Sequence, residues 1–163
     1  MIIKKLRQGF TIIELIVYMG LMGIFMVVLL EIFTLTLNTK LSSQSTSSIA
    51  YDGRYILSKL AYEIGNADSV VAPLLGSTST SLQIVQSGVV STYALDSGNL
   101  VKTTSGVSAN LNGLDTSLNS LTFKNIGNSG GKPTIQITYN IESKIFVSGG
   151  NESQTITTTV GTR

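Results

Sequence analysis

Gly9-Phe10-Thr11-Ile12-Ile13-Glu14-Leu15-Ile16-Val17 opens an apolar run that reaches Leu30 with a single charge inside it. Phe10 to Leu30 is roughly 21 residues, or about 31 Å as a helix, close to one hydrocarbon core. Lys4, Lys5 and Arg7 precede the run, and the next cation is Lys40. That asymmetry predicts a single-pass membrane helix with its N-terminus in the cytoplasm and the chain beyond Glu31 exported. A cleaved secretory signal needs a shorter apolar region closed by small residues. Here Glu31-Ile32-Phe33 follows the run, and Ser48-Ile49-Ala50 lies far beyond it. A plain N-terminal anchor accounts for the cations and the run. It leaves unexplained a glycine directly before Phe10 and a glutamate five residues after that glycine.

Glu14 is the costly residue. An ionised side chain at the centre of a spanning helix costs about 2.5–3.5 kcal/mol on insertion scales. Such a residue marks a function and calls for a partner.

The stretch Gly9-Phe10-Thr11-Ile12-Ile13-Glu14-Leu15-Ile16-Val17 resembles the processing site of type IV prepilins and pseudopilins. The resemblance implies a membrane peptidase that cuts between Gly9 and Phe10 and methylates the new N-terminus, leaving N-methylphenylalanine at Phe10. Glu14 corresponds to the signature glutamate of that family. Cleavage would create an α-amino group on Phe10 one helical turn from Glu14, on the same face. Buried charges are tolerated when paired. In a staggered bundle, Glu14 of one subunit can pair with the Phe10 amine of its neighbour, and a wrong stagger leaves both unpaired. The pair would therefore set filament register. An intramolecular Glu14–Phe10 contact, or a protonated Glu14 in lipid, is the plainer alternative.

Composition bounds the exported part. The chain has 163 residues, with no Cys, His or Trp. Disulfides and thiolate metal sites are thereby excluded. Net charge is +2, and three of the eleven Lys and Arg sit in the leader, so no basic footprint for nucleic acid remains. Nucleophilic catalysis needs an activating base or a lowered pKa, and nothing marks out one Ser or Thr. No catalytic, metal or cofactor site is expected. Asp96 and Asp115 lie in turn chemistry without a calcium-loop spacing. Asn151-Glu152-Ser153 is a lone glycosylation-type triplet.

The apolar period stays helical beyond the membrane. Ile49, Ile56, Leu60 and Ile64 keep the spacing, with Leu57 and Ala61 widening the stripe, and Gly65-Asn66 is a stop signal. The serine-rich stretch from Leu41 to Ser48 is either a weak helix or a joint. The helical patterns on both flanks favour helix with a soft centre. Gly20 and Gly23 permit close helix contact or are simply tolerated in lipid. From Ser69 the period becomes two. Strands are expected at 81–86, 89–95, 100–104, 121–125, 134–141 and 154–160, with turns at Asp96-Ser97-Gly98-Asn99 and Asn128 to Lys132. Ile135, Ile137, Tyr139 and Ile141 share one face. The expected fold is α+β: a long N-terminal helix whose second half covers the apolar face of an antiparallel sheet. The expected organisation is a leader at 1–9, a membrane and filament-core helix at 10–33, its extension at 34–66, and a β-rich head at 67–163. Tyr51, Tyr55 and Tyr62 are expected to help that packing.

Tyr93-Ala94-Leu95-Asp96-Ser97-Gly98-Asn99-Leu100-Val101-Lys102 resembles the hairpin of minor pseudopilins of the J type and their type IV pilus counterparts. Leu118 to Phe123, Ile135 to Tyr139, the closing Thr157 to Arg163 and the helix end Arg54 to Ile64 follow the same order. Major pilins often carry a proline where Glu31 stands, and here the first proline is Pro73. The C-terminal cysteine pair of many Gram-negative pilins is missing. The resemblance implies a minor more than a major filament subunit, in a pilus, a competence apparatus or a secretion system. It implies the prepilin peptidase/methyltransferase, other pilins, a membrane assembly platform and the lipid bilayer as partners. A major pilin, or a tip subunit binding DNA or surfaces, is the competing reading.

Overall fold

A computed structural model describes residues 11–163. The chain divides into two compact units, residues 1–40 and 41–163. One helix, α1 (Ile12–Gly65), supplies residues to both. The serine-rich stretch is helical throughout, with no break at its centre.

In the first unit the helix exposes apolar side chains all round, Ile12, Leu21, Ile24 and Leu35 among them. Its most apolar 18-residue window has a mean hydropathy of 2.5 and buries nothing. A soluble surface helix shows one apolar stripe, whereas a helix apolar all round needs protein or lipid about it. Its threonines fit that solvent. Thr34, Thr36 and Thr39 each donate their hydroxyl to the carbonyl four residues back, at 2.8–2.9 Å. Polar groups satisfied within the helix need no water. The unit fits a single-pass membrane anchor.

The second unit holds nine strands: β1 (Ser69–Ala72), β2 (Thr78–Ser79), β3 (Ser81–Gln86), β4 (Val89–Asp96), β5 (Asn99–Thr104), β6 (Val107–Asn110), β7 (Thr116–Asn125), β8 (Thr134–Ser143) and β9 (Ser153–Gly161). They form two antiparallel sheets where the sequence suggested one, in the orders β1-β3-β4-β5-β6 and β2-β7-β8-β9. The first is a meander built by one repeated device. Ser87-Gly88, Ser97-Gly98 and Ser105-Gly106 are two-residue connections with positive φ at both positions. That is the type I′ turn, whose twist matches paired strands. Only the middle one was read as a turn from the sequence, and β6 was therefore not expected.

The α+β architecture is as the sequence predicts. Ile49, Ile56, Leu60 and Ile64 are buried, with the last three fully so. They pack with Leu82, Ile84, Tyr93 and Leu100 of the first sheet and Phe123, Ile135, Ile137, Tyr139 and Ile141 of the second. Tyr51, Tyr55 and Tyr62 correct the expectation: they are 73%, 46% and 66% exposed. At 100° per residue they fall on the side of α1 opposite the buried stripe.

Polar contacts fix how α1 sits on the sheets. Ser42 and Thr46 donate to Glu152, and Ser45 is buried between them. These contacts hold the serine-rich stretch helical despite its mediocre propensity. Asp52, buried, accepts from Gly113 N at 2.8 Å and from the Thr116 hydroxyl. A Cβ on Gly113 would lie 2.9 Å from that carboxylate, so only glycine allows the approach. Glu63, 4% exposed, receives Lys102 Nζ on both oxygens at 2.8 Å and Lys59 at 2.9 Å. Tyr139 donates its hydroxyl to Gly53 O at 2.7 Å. The sheets themselves meet where Leu118 N bonds Gly98 O. There, Asn112 bonds Leu100 N, Asn99 Oδ1 and Thr116 O.

Two predictions follow from this packing. Leu60→Asp should lower the head's melting temperature sharply: losing a buried leucine costs about 2–5 kcal/mol before the buried charge is counted. An unchanged melt by circular dichroism would show that the stripe does not cover the sheets. Burial pushes the Tyr139 phenol up from 10.0 to about 12. The folded state thus keeps a proton that the unfolded chain releases. This contribution is whole below pH 10 and is lost as the pH rises towards 12. Tyr139→Phe should flatten that alkaline fall and cost about 1 kcal/mol at neutral pH, as pH-dependent melts would reveal.

Candidate processing and assembly site

The apolar helix begins with a capped first turn. Thr11 precedes the first helical residue, and its carbonyl accepts the first helical bond, from Leu15 N at 3.2 Å. Its hydroxyl accepts from Glu14 N at 3.3 Å. Thr11 is therefore the N-cap and Glu14 the third helical residue, in the Thr-x-x-Glu spacing of a capping box. The spacing was legible in the sequence, but Thr11 was not singled out there.

Glu14 sits where an acid costs least along such a helix. The first turn carries the positive end of the helix dipole and its unpaired N–H groups. Tyr18, one turn on, donates its hydroxyl to Glu14 Oε1 at 3.4 Å. Glu14 is half-buried while Ile13 and Leu15 on either side are exposed. Tyr18 is the second residue that sequence reasoning passed over, and the i,i+4 spacing was its signal. Gly9 and Phe10, and with them any contact between the Phe10 amine and Glu14, lie outside the described residues.

The head shows no comparable chemistry. Among the described residues no three His, Cys, Asp or Glu side chains converge on a common point. The two buried carboxylates of the second unit, Asp52 and Glu63 of α1, are engaged in holding α1 to loop and sheet.

No curated protein and no solved structure matches the chain. Residues 4–30 match the prokaryotic N-terminal methylation motif. That stretch takes in the cations Lys4, Lys5 and Arg7, then Gly9, Phe10 and Glu14, and most of the exposed apolar helix just described. The chain thus bears the type IV prepilin signature at the head of its membrane-type helix.

Proposed function

We propose that this chain is a structural subunit of a type IV pilus or pseudopilus, more a minor than a major one, anchored and assembled through its N-terminal helix. The observation that carries the reading is a basic leader ending in Gly9-Phe10, followed at once by a helix with Glu14 in its first turn and apolar side chains exposed on every side. A prepilin peptidase/methyltransferase cuts after Gly9 and methylates Phe10. The leader stays in the cytoplasm, and the head of residues 67–163 is exported and then carried into the filament by a membrane assembly platform. Glu31 in place of the proline common in major pilins supports the minor assignment. Glu14 pairs with the Phe10 amine of an adjacent subunit and sets the stagger. Its Thr11 cap and Tyr18 hydroxyl hold the carboxylate at the helix start until that partner arrives.

Mass spectrometry of the mature protein tests the processing. The expected species starts at Phe10 with one added methyl group. A mature chain starting at Met1, or beyond Leu30, overturns the reading. Gly9→Val should leave the leader attached, because the peptidase site accepts only a small residue there.

Glu14→Ala separates insertion from assembly. The variant should enter the membrane at least as well as the parent, since it removes an ionisable group from an apolar segment. It should be depleted from sheared filaments. Wild-type recovery in filaments would remove the register role from Glu14. Tyr18→Phe, which takes only the local hydroxyl, should assemble normally.

A further inference from the structure

Loops that meet only water are ordinarily polar. Two loops of the second unit depart from this. The connection between β8 and β9 carries Ile145-Phe146-Val147, with Phe146 77% exposed. Leu114, in the loop before β7, is 92% exposed. These are the two most exposed large apolar side chains of that unit. Both loops are held in place. Gly150 N bonds Val147 O at 2.9 Å, and Ile145 N bonds the Ser143 hydroxyl at 3.1 Å. Lys144 N bonds Asp115 O at 2.8 Å and ties one loop to the other.

Bonds to α1 fix where these loops stand. Glu152, just before β9, accepts from Ser42 and Thr46, in the first turns of α1 within this unit. Leu114 lines a cleft with Gln44, Ser47 and Ser48 of the same turns. At the opposite end Arg163 N, beyond β9, bonds Gly65 O at the close of α1. Both apolar tips therefore belong to the end at which the chain enters the head. That end is tethered to the apolar run. From Leu30 to Leu41 the helix rises about 16 Å, and Ile32, Phe33, Leu35 and Leu37 keep most of that reach apolar and exposed. The interfacial layer on each side of a bilayer is itself roughly 5–7 Å deep.

We propose that these two loops dock on the bilayer that holds the helix, with Phe146 and Leu114 entering the interfacial layer of the leaflet nearest the head. The inference rests on the anchor reading of the helix and is independent of the filament reading. The tether names the occupant, because lipid lies within reach of every anchored copy, whether or not another subunit is present. Apolar side chains of this kind are a liability in water and favourable at the headgroup–acyl boundary. Lys144 is the one cation of these loops, against Asp115 and Glu152. Apolar insertion, and not attraction to anionic headgroups, therefore supplies the contact.

The full chain has no cysteine, so one introduced thiol can carry an environment-sensitive fluorophore. The labelled chain is reconstituted in phosphatidylcholine vesicles, with spin-labelled lipids as quenchers. Ser148→Cys, beside Phe146, should emit to the blue and be quenched by lipids labelled near the headgroup. Ser87→Cys, in the turn bonded to Asp68 just beyond the far end of α1, should show neither effect. Adding Phe146→Asp and Leu114→Asp to Ser148→Cys should abolish the quenching without moving the head's melting temperature, since both side chains are exposed. Met22→Cys reports on the anchor. Quenching there by deep labels, with none at Ser148→Cys, overturns the docking alone. No quenching at Met22→Cys overturns the anchor reading and the docking with it. The proposal also fails if quenching at Ser148→Cys survives the two aspartates. It fails too if that quenching appears only as the protein-to-lipid ratio rises, which would make a second copy the occupant.

Discussion

Burial of the Ile56, Leu60 and Ile64 face of α1 against the two sheets is the contact on which the head depends. Fully burying one such side chain is worth about 1.5–3 kcal/mol, and all three lose their entire exposure. Neither layer can achieve this alone. A lone helix has no partner for its stripe, and each sheet has one apolar face that needs a cover. The same helix lies over both sheets: Tyr139 of β8 reaches Gly53, and Lys102 of β5 reaches Glu63. It thereby makes one core from two sheets.

Apolar burial does not choose a register by itself, because a helix can slide on a greasy surface at little cost. The polar contacts choose it. Asp52 and Glu63 stand on the buried side of α1, where an unpaired carboxylate would be costly. Asp52 finds Gly113 and Thr116, and Glu63 finds Lys59 and Lys102. A shift by one turn breaks the contacts of Asp52 and parts Glu63 from Lys102, leaving Glu63 only Lys59 of its own helix. Such pairs add little net stability over apolar packing, and their effect is on which arrangement survives.

Glu14 meets the same problem in another solvent. Around it the helix is apolar on every side, and its acid is placed in the first turn, where the cap and the dipole favour it. Thr11 and Tyr18 engage it locally. The proposed filament role requires that this carboxylate exchange a local hydroxyl for a stronger cationic partner, which a charge-assisted bond supplies.

The sequence by itself determined what local period, composition and motif determine. The membrane-type helix, the prepilin signature at Gly9, Phe10 and Glu14, the change from a period of 3.6 to a period of 2 near Ser69, and the inward residues of β8 are all nearest-neighbour patterns. The helix, the change of period and the inward faces follow from which side chains avoid water, whereas the signature is legible as a motif. Tertiary structure decided the rest. That the strands part into two sheets depends on long-range pairing, such as β2 leaving its sequence neighbours to join β7. The helical flanks already favoured helix through the serine-rich stretch, and the fold adds bonds from Ser42 and Thr46 to Glu152, more than a hundred residues away. The tyrosines at 51, 55 and 62 face outward because the buried stripe had already claimed the other side of the helix. Asp52 and Glu63 are buried because the fold brings Thr116 and Lys102 to them. No local pattern encodes a partner that only the closed chain supplies.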